Sequence, residues 1–366
     1  MMWKSAQVIR VAQEWGQCRV YDLVCDDGTQ VRAIGYVPLV GRADIGEEVL
    51  ITSATLAKNL GTGGFAMIAA IPHALPTDNH RIGHIVKARY TPLQYTVLSV
   101  DEPDSPHYPI LCDADSIDAM PVICADLHSA LPAIIAGIRC AAPQARIAYI
   151  MTDGGALPAW FSHTAWQLRE NGHIIGTISC GQAFGGELEA VSIHTALLAA
   201  RLVWHADIAI VAQGPGNLGT DTRWGFSGVA IGEALNAVYA LHGHPIACVR
   251  ASSADSRQRH WGISHHTMRV LKDVVRVPTT VVNVDLPHMD PALHARITEQ
   301  FVDLASIAHL RFVSMPGEDL TAALINPPAP LRTMGRGFAE DPLSFYMAGA
   351  SGYYAGQLLH NAELPS

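Results

Sequence analysis

The densest group of chemically versatile side chains falls in residues 257–266, where two arginines and three histidines lie within ten residues. Neutral imidazoles ligate transition metals or act as general bases, and guanidinium groups bind phosphate or carboxylate. Ser264 is a natural N-cap, which predicts a helix whose first turn holds two histidines kept neutral by the helix dipole. The alternative is a solvated basic loop paired with Asp255. The candidate anion ligands are Arg257 and Arg259, and the candidate bases or metal ligands are His260, His265 and His266.

A glycine-rich segment, residues 214–220, follows the apolar run 206–212. It matches the letters of a Gly-x-Gly-x-x-Gly loop, but it lies in the fourth strand–helix unit, and no apolar helix follows directly. A Walker-type loop is excluded because no lysine stands nearby. The segment predicts a loop whose exposed amides and polar side chains bind an anion. Its candidate ligands are Gly214, Gly216, Gly219, Thr220 and Arg223.

Acidic residues and Asp/His pairs follow several other predicted strands. Asp126 and Asp153 are candidate general bases, with helix capping as the alternative for each. Two pairs, Asp126–His128 and Asp285–His288, stand at strand ends. If these ends meet the histidine-rich segment in space, they form a site for a divalent metal. The candidate metal ligands are His128, His265, Asp285 and His288.

The elements that must position these residues change character along the chain. Residues 1–71 contain short alternating strands punctuated by glycine, which predicts a small β-barrel-like domain. From residue 119 onward, seven apolar runs alternate with helix-length segments. Such runs are typical of parallel strands buried on both faces, so we predict an α/β domain with a doubly wound, mostly parallel sheet. A (β/α)-barrel-like fold is the alternative, although it needs an eighth unit.

We place the domains at residues 1–115 and 116–366. The second is Rossmann-like and ends in an Ala/Gly-rich helix near residues 345–356, which we interpret as a docking or dimer helix. The predicted strands of this domain are 121–125, 146–150, 173–178, 207–211, 245–249, 279–284 and 310–313. The segments 187–204 and 227–242 are predicted as helices.

Composition excludes several classes of partner. The 366-residue chain is 49% hydrophobic and 16% charged, with a formal net charge of −9, which argues against nucleic acid and anionic membrane surfaces as partners. Seven dispersed cysteines form no Cys-x-x-Cys pair, as expected in a reducing compartment. No signal peptide or membrane span is predicted. We therefore expect a cytoplasmic protein that forms a homo-oligomer, most simply a dimer.

Three segments resemble a bacterial family of uncharacterised proteins of about this length. They are residues 83–94, 181–190 and 257–266, and the resemblance extends over nearly the whole chain. It implies no reaction and transfers no catalytic role.

Two functions remain open. The first is an enzyme acting on a small anionic metabolite, phosphorylated ones included, at the carboxyl edge of the parallel sheet, with a divalent metal as a candidate cofactor. The second is a ligand-sensing or assembly protein with the same anion-binding pocket and no chemistry. A titratable pair within hydrogen-bond reach favours the enzyme. Histidines that all point away from the Gly214 loop argue against it.

Overall fold

A computed structural model describes residues 2–58, 60, 63–76, 83–286 and 288–362. The chain divides into two compact units. One comprises Met1–Val97 with Trp160–Trp166, and the other comprises Leu98–Ala159 with Gln167–Ser366.

The first unit contains a closed five-stranded barrel in the order β1-β2-β3-β5-β4. Alternating side chains of β2 point into its core, where Tyr21 and Leu23 are buried. Gly28 has a φ of 79° in the turn after β2, a conformation that favours glycine. The predicted N-terminal barrel is thus confirmed. Its strands are β1 (Trp3–Trp15), β2 (Cys18–Cys25), β3 (Gln30–Tyr36), β4 (Glu48–Thr52) and β5 (Ala66–Ala70), followed by the pair β6 (Ile85–Lys87) and β7 (Tyr95–Val97).

The second unit is built on an eight-stranded sheet in the order β11-β10-β9-β12-β8-β13-β16-β17, with parallel pairing throughout. The central strands are buried along their whole length, which explains their uninterrupted apolar runs. The predicted α/β fold is confirmed. The strands are β8 (Pro121–Ala125), β9 (Ile147–Thr152), β10 (Thr177–Cys180), β11 (Leu188–Ala190), β12 (Ile208–Gln213), β13 (His244–Ala247), β16 (Thr279–Asp285) and β17 (Leu310–Pro316).

Two short antiparallel ribbons accompany this sheet. They are β14 (Ala251–Ser252) with β15 (Gly262–Ile263), and β18 (Arg332–Thr333) with β19 (Arg336–Gly337). The eighth strand of the sheet, β11, lies within the stretch that we predicted as a helix. It has only three residues, and its buried Glu189 accepts a hydrogen bond from the hydroxyl of Ser179 in β10.

Two groups of helices pack with this sheet: α4, α10 and α11 contact one another, and α6, α7, α8 and α9 form a second series. The helices of the chain are α1 (Val37–Val40), α2 (Ala54–Ala57), α3 (Tyr108–Leu111), α4 (Leu131–Ala141), α5 (His163–Glu170), α6 (Ile193–Leu198), α7 (Ala230–Ala240), α8 (His265–Asp273), α9 (Pro291–Ala305), α10 (Glu318–Ile325) and α11 (Pro342–Ala362). Among the helices of the described chain, none combines the length and apolarity needed to cross a membrane.

The small residues of α11 pack against α4 of the same chain. A Cβ atom on Gly352 would lie 1.9 Å from the carbonyl oxygen of Ile134, and one on Gly137 would lie 1.9 Å from that of Gly349. The two backbones therefore touch, and only glycine fits at these crossings. This small-residue face docks α11 inside the unit.

Candidate functional site

The candidate site lies where the chain order of the sheet reverses. Strand β8 has β12 on one side and β13 on the other, while the chain runs from β8 to β9 before it returns to β13. In open α/β sheets, ligands bind outside the carboxyl ends of strands at such a reversal. Asp126 directly follows β8, and Arg250 stands three residues after β13.

The ribbon β14–β15 brings the histidine-rich segment to this edge. The amide of Ser264 donates to the carbonyl of Arg250 at 2.8 Å. Buried Gln300 of α9 brackets Ile263, accepting from its amide at 2.8 Å and donating to its carbonyl at 2.7 Å. Gly262 begins β15 with a φ of 76°, a conformation that favours glycine. Hydrogen bonds to Arg250, which follows β13, and to Gln300 of α9 thus hold the segment in place.

His260, His265 and His266 form one cluster. Each offers a ring nitrogen, and these nitrogens all lie within 4.8 Å of one another. The ring centroids are 4.2 Å apart for His265 and His266, and 4.9 Å apart for His260 and His265. The Nε2 atom of His265 is buried and has no hydrogen-bond partner among the described residues. A buried polar atom without a partner costs free energy, so this nitrogen is poised for a ligand.

Two neighbours fix the orientation of the cluster. The Oγ atom of Ser264 lies 2.8 Å from Nδ1 of His260, and it also caps α8 by accepting from the amide of His266. The predicted N-cap at Ser264 is therefore confirmed. Phe226 stacks on His266 with a centroid separation of 4.0 Å and an interplanar angle of 1°. Since Phe226 belongs to the loop that begins at Gly214, the histidines do not all point away from that loop.

The three imidazoles are held in the neutral form. Burial, assisted by the Arg250 guanidinium, lowers the pKa of His260 to about 4. Burial and the neighbouring His265 lower the pKa of His266 to about 3, and burial also lowers the pKa of His265. Neutral imidazole carries the lone pair that a metal ion or a proton requires. The cluster can therefore ligate a metal or accept a proton near neutral pH.

A buried ion pair stands beside the cluster. Nη1 of Arg250 lies 3.3 Å from Oδ2 of Asp126 and 3.5 Å from Nδ1 of His266. Both members of the pair are nearly buried, with side-chain exposures of 11% for Arg250 and 12% for Asp126. Burial raises the pKa of Asp126, while Arg250 opposes the rise. Asp126, Arg250 and the cluster thus form one polar unit at the sheet edge.

A small cavity of about 30 Å³ adjoins this unit. Two of its lining residues, Ser252 and Arg336, bond Asp341, which is fully buried and accepts from Ser252 Oγ at 2.6 Å and from Arg336 Nε at 3.0 Å. Arg336 Nη2 also lies 3.5 Å from Asp255. The charged and titratable residues that line the cavity are Asp126, Cys248, Arg250, Asp255, His260 and Arg336.

The structure places the two predicted anion-binding arginines in ion pairs. Arg257 donates from Nε and Nη2 to the two carboxylate oxygens of Asp255, at 2.9 and 2.8 Å, which holds the pKa of Asp255 well below its usual range. Arg259 pairs with Asp221 at 2.6 Å. This arrangement matches the alternative of a basic loop paired with Asp255, although the role of both arginines as anion ligands stays untested.

The glycine-rich loop folds as a hairpin over the cluster. The amide of Thr220 donates to the carbonyl of Gly225 at 2.7 Å, and its hydroxyl lies 3.1 Å from that of Thr222. The amide of Leu218 donates to Ser227 Oγ. Thr220 and Arg223 are exposed, as are Gly216 and Gly219, whereas Gly214 is buried. Much of the hydrogen-bonding capacity of the loop is used internally, and its contact with the cluster runs through Phe226.

The remaining predicted residues lie apart from the three-histidine group. Asp153 is exposed and accepts from the amide of Gln182 at 3.0 Å. Nδ1 of His128 lies 3.1 Å from the Tyr149 hydroxyl, and burial lowers the pKa of His128 to about 4. Asp285 lines a separate cavity under α9, and His288 is exposed. Among the described residues, the group able to hold a metal comprises His260, His265 and His266.

Two residues of the site were not predicted from the sequence. Arg250 directly follows the apolar run 245–249, so a lone cation after a buried strand was an available signal. Asp341 lies far along the chain, in a polar segment before α11, and nothing in its local pattern indicates that it anchors Ser252.

Comparison with known proteins identifies one family. A family model described as "Protein of unknown function (DUF3866)" matches residues 32–352, which is nearly the whole chain. No curated protein and no solved structure matches the chain.

Proposed function

The chain belongs to the DUF3866 family, and we propose from its own geometry that it is a metal-dependent enzyme acting on a small anionic molecule. The observation that carries the proposal is the cluster of His260, His265 and His266, with its unpartnered buried nitrogen. Three neutral imidazoles are a ligand set for zinc and related ions, and three protein ligands leave a fourth position open.

The spacing of the cluster suits such an ion. Zinc–nitrogen bonds of about 2.0–2.1 Å in a tetrahedron require nitrogen separations of about 3.3 Å. The ring nitrogens lie within 4.8 Å of one another, so a bound ion would require them to approach by up to about 1.5 Å. Ser264 orients His260 in the way that outer hydrogen-bonding groups fix ligating imidazoles. A bound ion would polarise a substrate oxygen and lower the pKa of a water molecule.

The charges around the cluster favour an anionic substrate. A divalent ion beside Arg250 would add positive charge to a site where Asp126 and Asp255 already offset Arg250 and Arg336. The proposed reaction class is hydrolysis, in which water adds across the scissile bond, with hydroxyl joining the electrophilic atom and hydrogen joining the leaving group. Asp126 is the candidate proton acceptor, because the three imidazoles would hold the ion.

Elemental analysis of the purified protein tests the metal. We expect about one zinc-class ion per chain, lost in His265→Ala and His266→Ala and retained in His128→Gln, which removes a half-buried histidine outside the cluster. Thermal unfolding of each variant separates loss of the ion from loss of the fold. Cobalt substitution then reports histidine coordination by its visible absorption. A correctly folded protein that binds neither ion refutes the metal site.

Turnover distinguishes the enzyme from the ligand-sensing alternative. The metal-bound protein is incubated with a panel of small carboxylate- and phosphate-bearing esters and amides, with His265→Ala as the control. Product formation that depends on the metal supports the enzyme. A bound metal and bound anion without turnover supports a sensing protein.

The proposal also includes a cytoplasmic homodimer whose partner is a small molecule. All seven cysteines are free thiols, which supports a reducing compartment. The small-residue face of α11 is occupied by α4, so a dimer must use another surface. Sedimentation equilibrium and cell fractionation test these two points.

A further inference from the structure

The size of the cavity beside the histidine cluster limits what can enter it. Its volume is about 30 Å³, which holds about two water molecules. One small planar group fits this space, whereas a whole metabolite does not. The cavity therefore receives one end of a ligand, and the rest of the ligand must lie outside.

Arg250 lines the cavity and has hydrogen-bond donors that its protein contacts do not use. Both of its side-chain contacts within the described part of the chain run through Nη1, to Asp126 and His266. Nε and Nη2 therefore remain available as a parallel pair of donors. Arg336, which also lines the cavity, is already bonded to Asp341 and Asp255. A guanidinium with two free parallel donors matches a carboxylate in geometry.

The charge of the lining favours a monoanion. Asp126 and Asp255 face the same cavity as Arg250 and Arg336, so the lining itself is close to neutral. A phosphate monoester carries about −1.5 to −2 charges at neutral pH and needs partners for three oxygens. A carboxylate carries one charge and has two oxygens, which are matched by the two free donors.

We propose that the cavity binds the carboxylate of a small organic acid through Nε and Nη2 of Arg250, beside the histidine cluster. This inference rests on the proposed function and narrows its substrate class. Asp126 holds the guanidinium through Nη1, so Arg250 is positioned before the acid arrives. Arg250 is accordingly a binding residue, and Asp126 is a positioning residue.

Calorimetric titration of the metal-bound protein with acetate, glycolate and lactate tests the inference, with inorganic phosphate and sulfate as competing anions. Arg250→Lys keeps the charge and removes the planar fork, and we expect it to weaken carboxylate binding by about tenfold or more. Arg201→Lys is the matched control, because Asp118 and the carbonyl of Ala206 hold that guanidinium outside the cavity, and it should bind the acids as the wild type does. The metal content of both variants is measured and should not change.

Each result has a defined meaning. Phosphate that binds as tightly as the carboxylates overturns the assignment, and so does an equal loss in Arg250→Lys and Arg201→Lys. Failure of every carboxylate to bind a protein that contains its metal also overturns it, while the proposed metal site survives. Conversely, Arg250-dependent binding of acetate to a protein that never takes up metal supports the carboxylate site and refutes the metal-dependent enzyme.

Discussion

The hydroxyl oxygen of Ser264 lies 2.8 Å from Nδ1 of His260, and the same oxygen accepts from the amide of His266 at 3.3 Å. One side chain therefore begins α8 and orients a candidate metal ligand. The helix start and the cluster are linked through a single oxygen atom.

Replacing this oxygen should affect stability and metal binding together. Ser264→Ala removes an N-cap, at a cost of about 0.5–2 kcal/mol in the free energy of unfolding. It also frees the His260 ring, which should weaken metal binding by about 10–100-fold. Denaturant unfolding and a competitive chelator titration measure the two effects.

Ser192 provides the matched control, because its side chain caps α6 away from the cluster. Ser192→Ala should lose similar stability and keep its metal affinity. Equal metal affinities in the two variants would contradict a role for Ser264 in orienting His260.

The half-buried histidine beside Tyr149, His128, should make stability depend on pH. Burial lowers the pKa of His128 to about 4 from its usual 6.5. Above pH 6.5 both folded and unfolded chains hold this residue neutral, so its contribution is constant. Between these two pKa values the unfolded chain takes up a proton that the folded chain refuses. Stability is therefore lost as the pH falls from 6.5 towards 4.

His128→Gln isolates this contribution from those of other histidines. Between pH 7 and pH 5 the wild type should lose about 1–2 kcal/mol more than the variant. Urea unfolding at both pH values gives the difference. Parallel pH profiles for the two proteins would show that His128 titrates normally in the folded chain.

The contact between α4 and α11 should tolerate no side chain at Gly352. Its Cβ would lie 1.9 Å from the Ile134 carbonyl oxygen, so Gly352→Ala must separate the two helices. We expect a loss of about 1–3 kcal/mol or more in the free energy of unfolding.

Gly349→Ala on the same helix serves as the comparison. Its Cβ would meet its nearest neighbour at 3.5 Å, an ordinary contact, and alanine is the better helix former. Thermal unfolding of both variants measures the difference, and Gly349→Ala should be as stable as the wild type or slightly more stable. A melting temperature for Gly352→Ala that equals this one would argue against backbone contact at the crossing.

The architecture could be predicted from the sequence because buried parallel strands appear as uninterrupted runs of apolar residues. Residues 208–212 are all apolar because β12 is buried along its whole length in the middle of the sheet. Strand β11 carries no such signal, because it is short and contains the acidic residue Glu189. This carboxylate is buried, and it accepts hydrogen bonds from the hydroxyl of Ser179 and the amide of Gly185.

The site could be predicted from the sequence only in part, because tertiary structure decides which charged side chains pair with each other. The sequence indicated that His260, His265 and His266 were close along the chain, and the structure brings their nitrogens together. The sequence could not show that Asp255 engages Nε and Nη2 of Arg257, or that Arg250 uses only Nη1 for its side-chain contacts with the described residues. The chemical roles of these residues remain predictions.

All three histidines of the cluster come from one stretch of seven residues, between β14 and the first turn of α8. None of these seven residues belongs to a strand of the eight-stranded sheet, so a segment outside the sheet supplies all three imidazoles. Distant parts of the chain nevertheless hold this segment, through Arg250, Phe226 and Gln300. The ligand set is therefore local in the sequence, whereas its arrangement depends on three positions that are far apart along the chain.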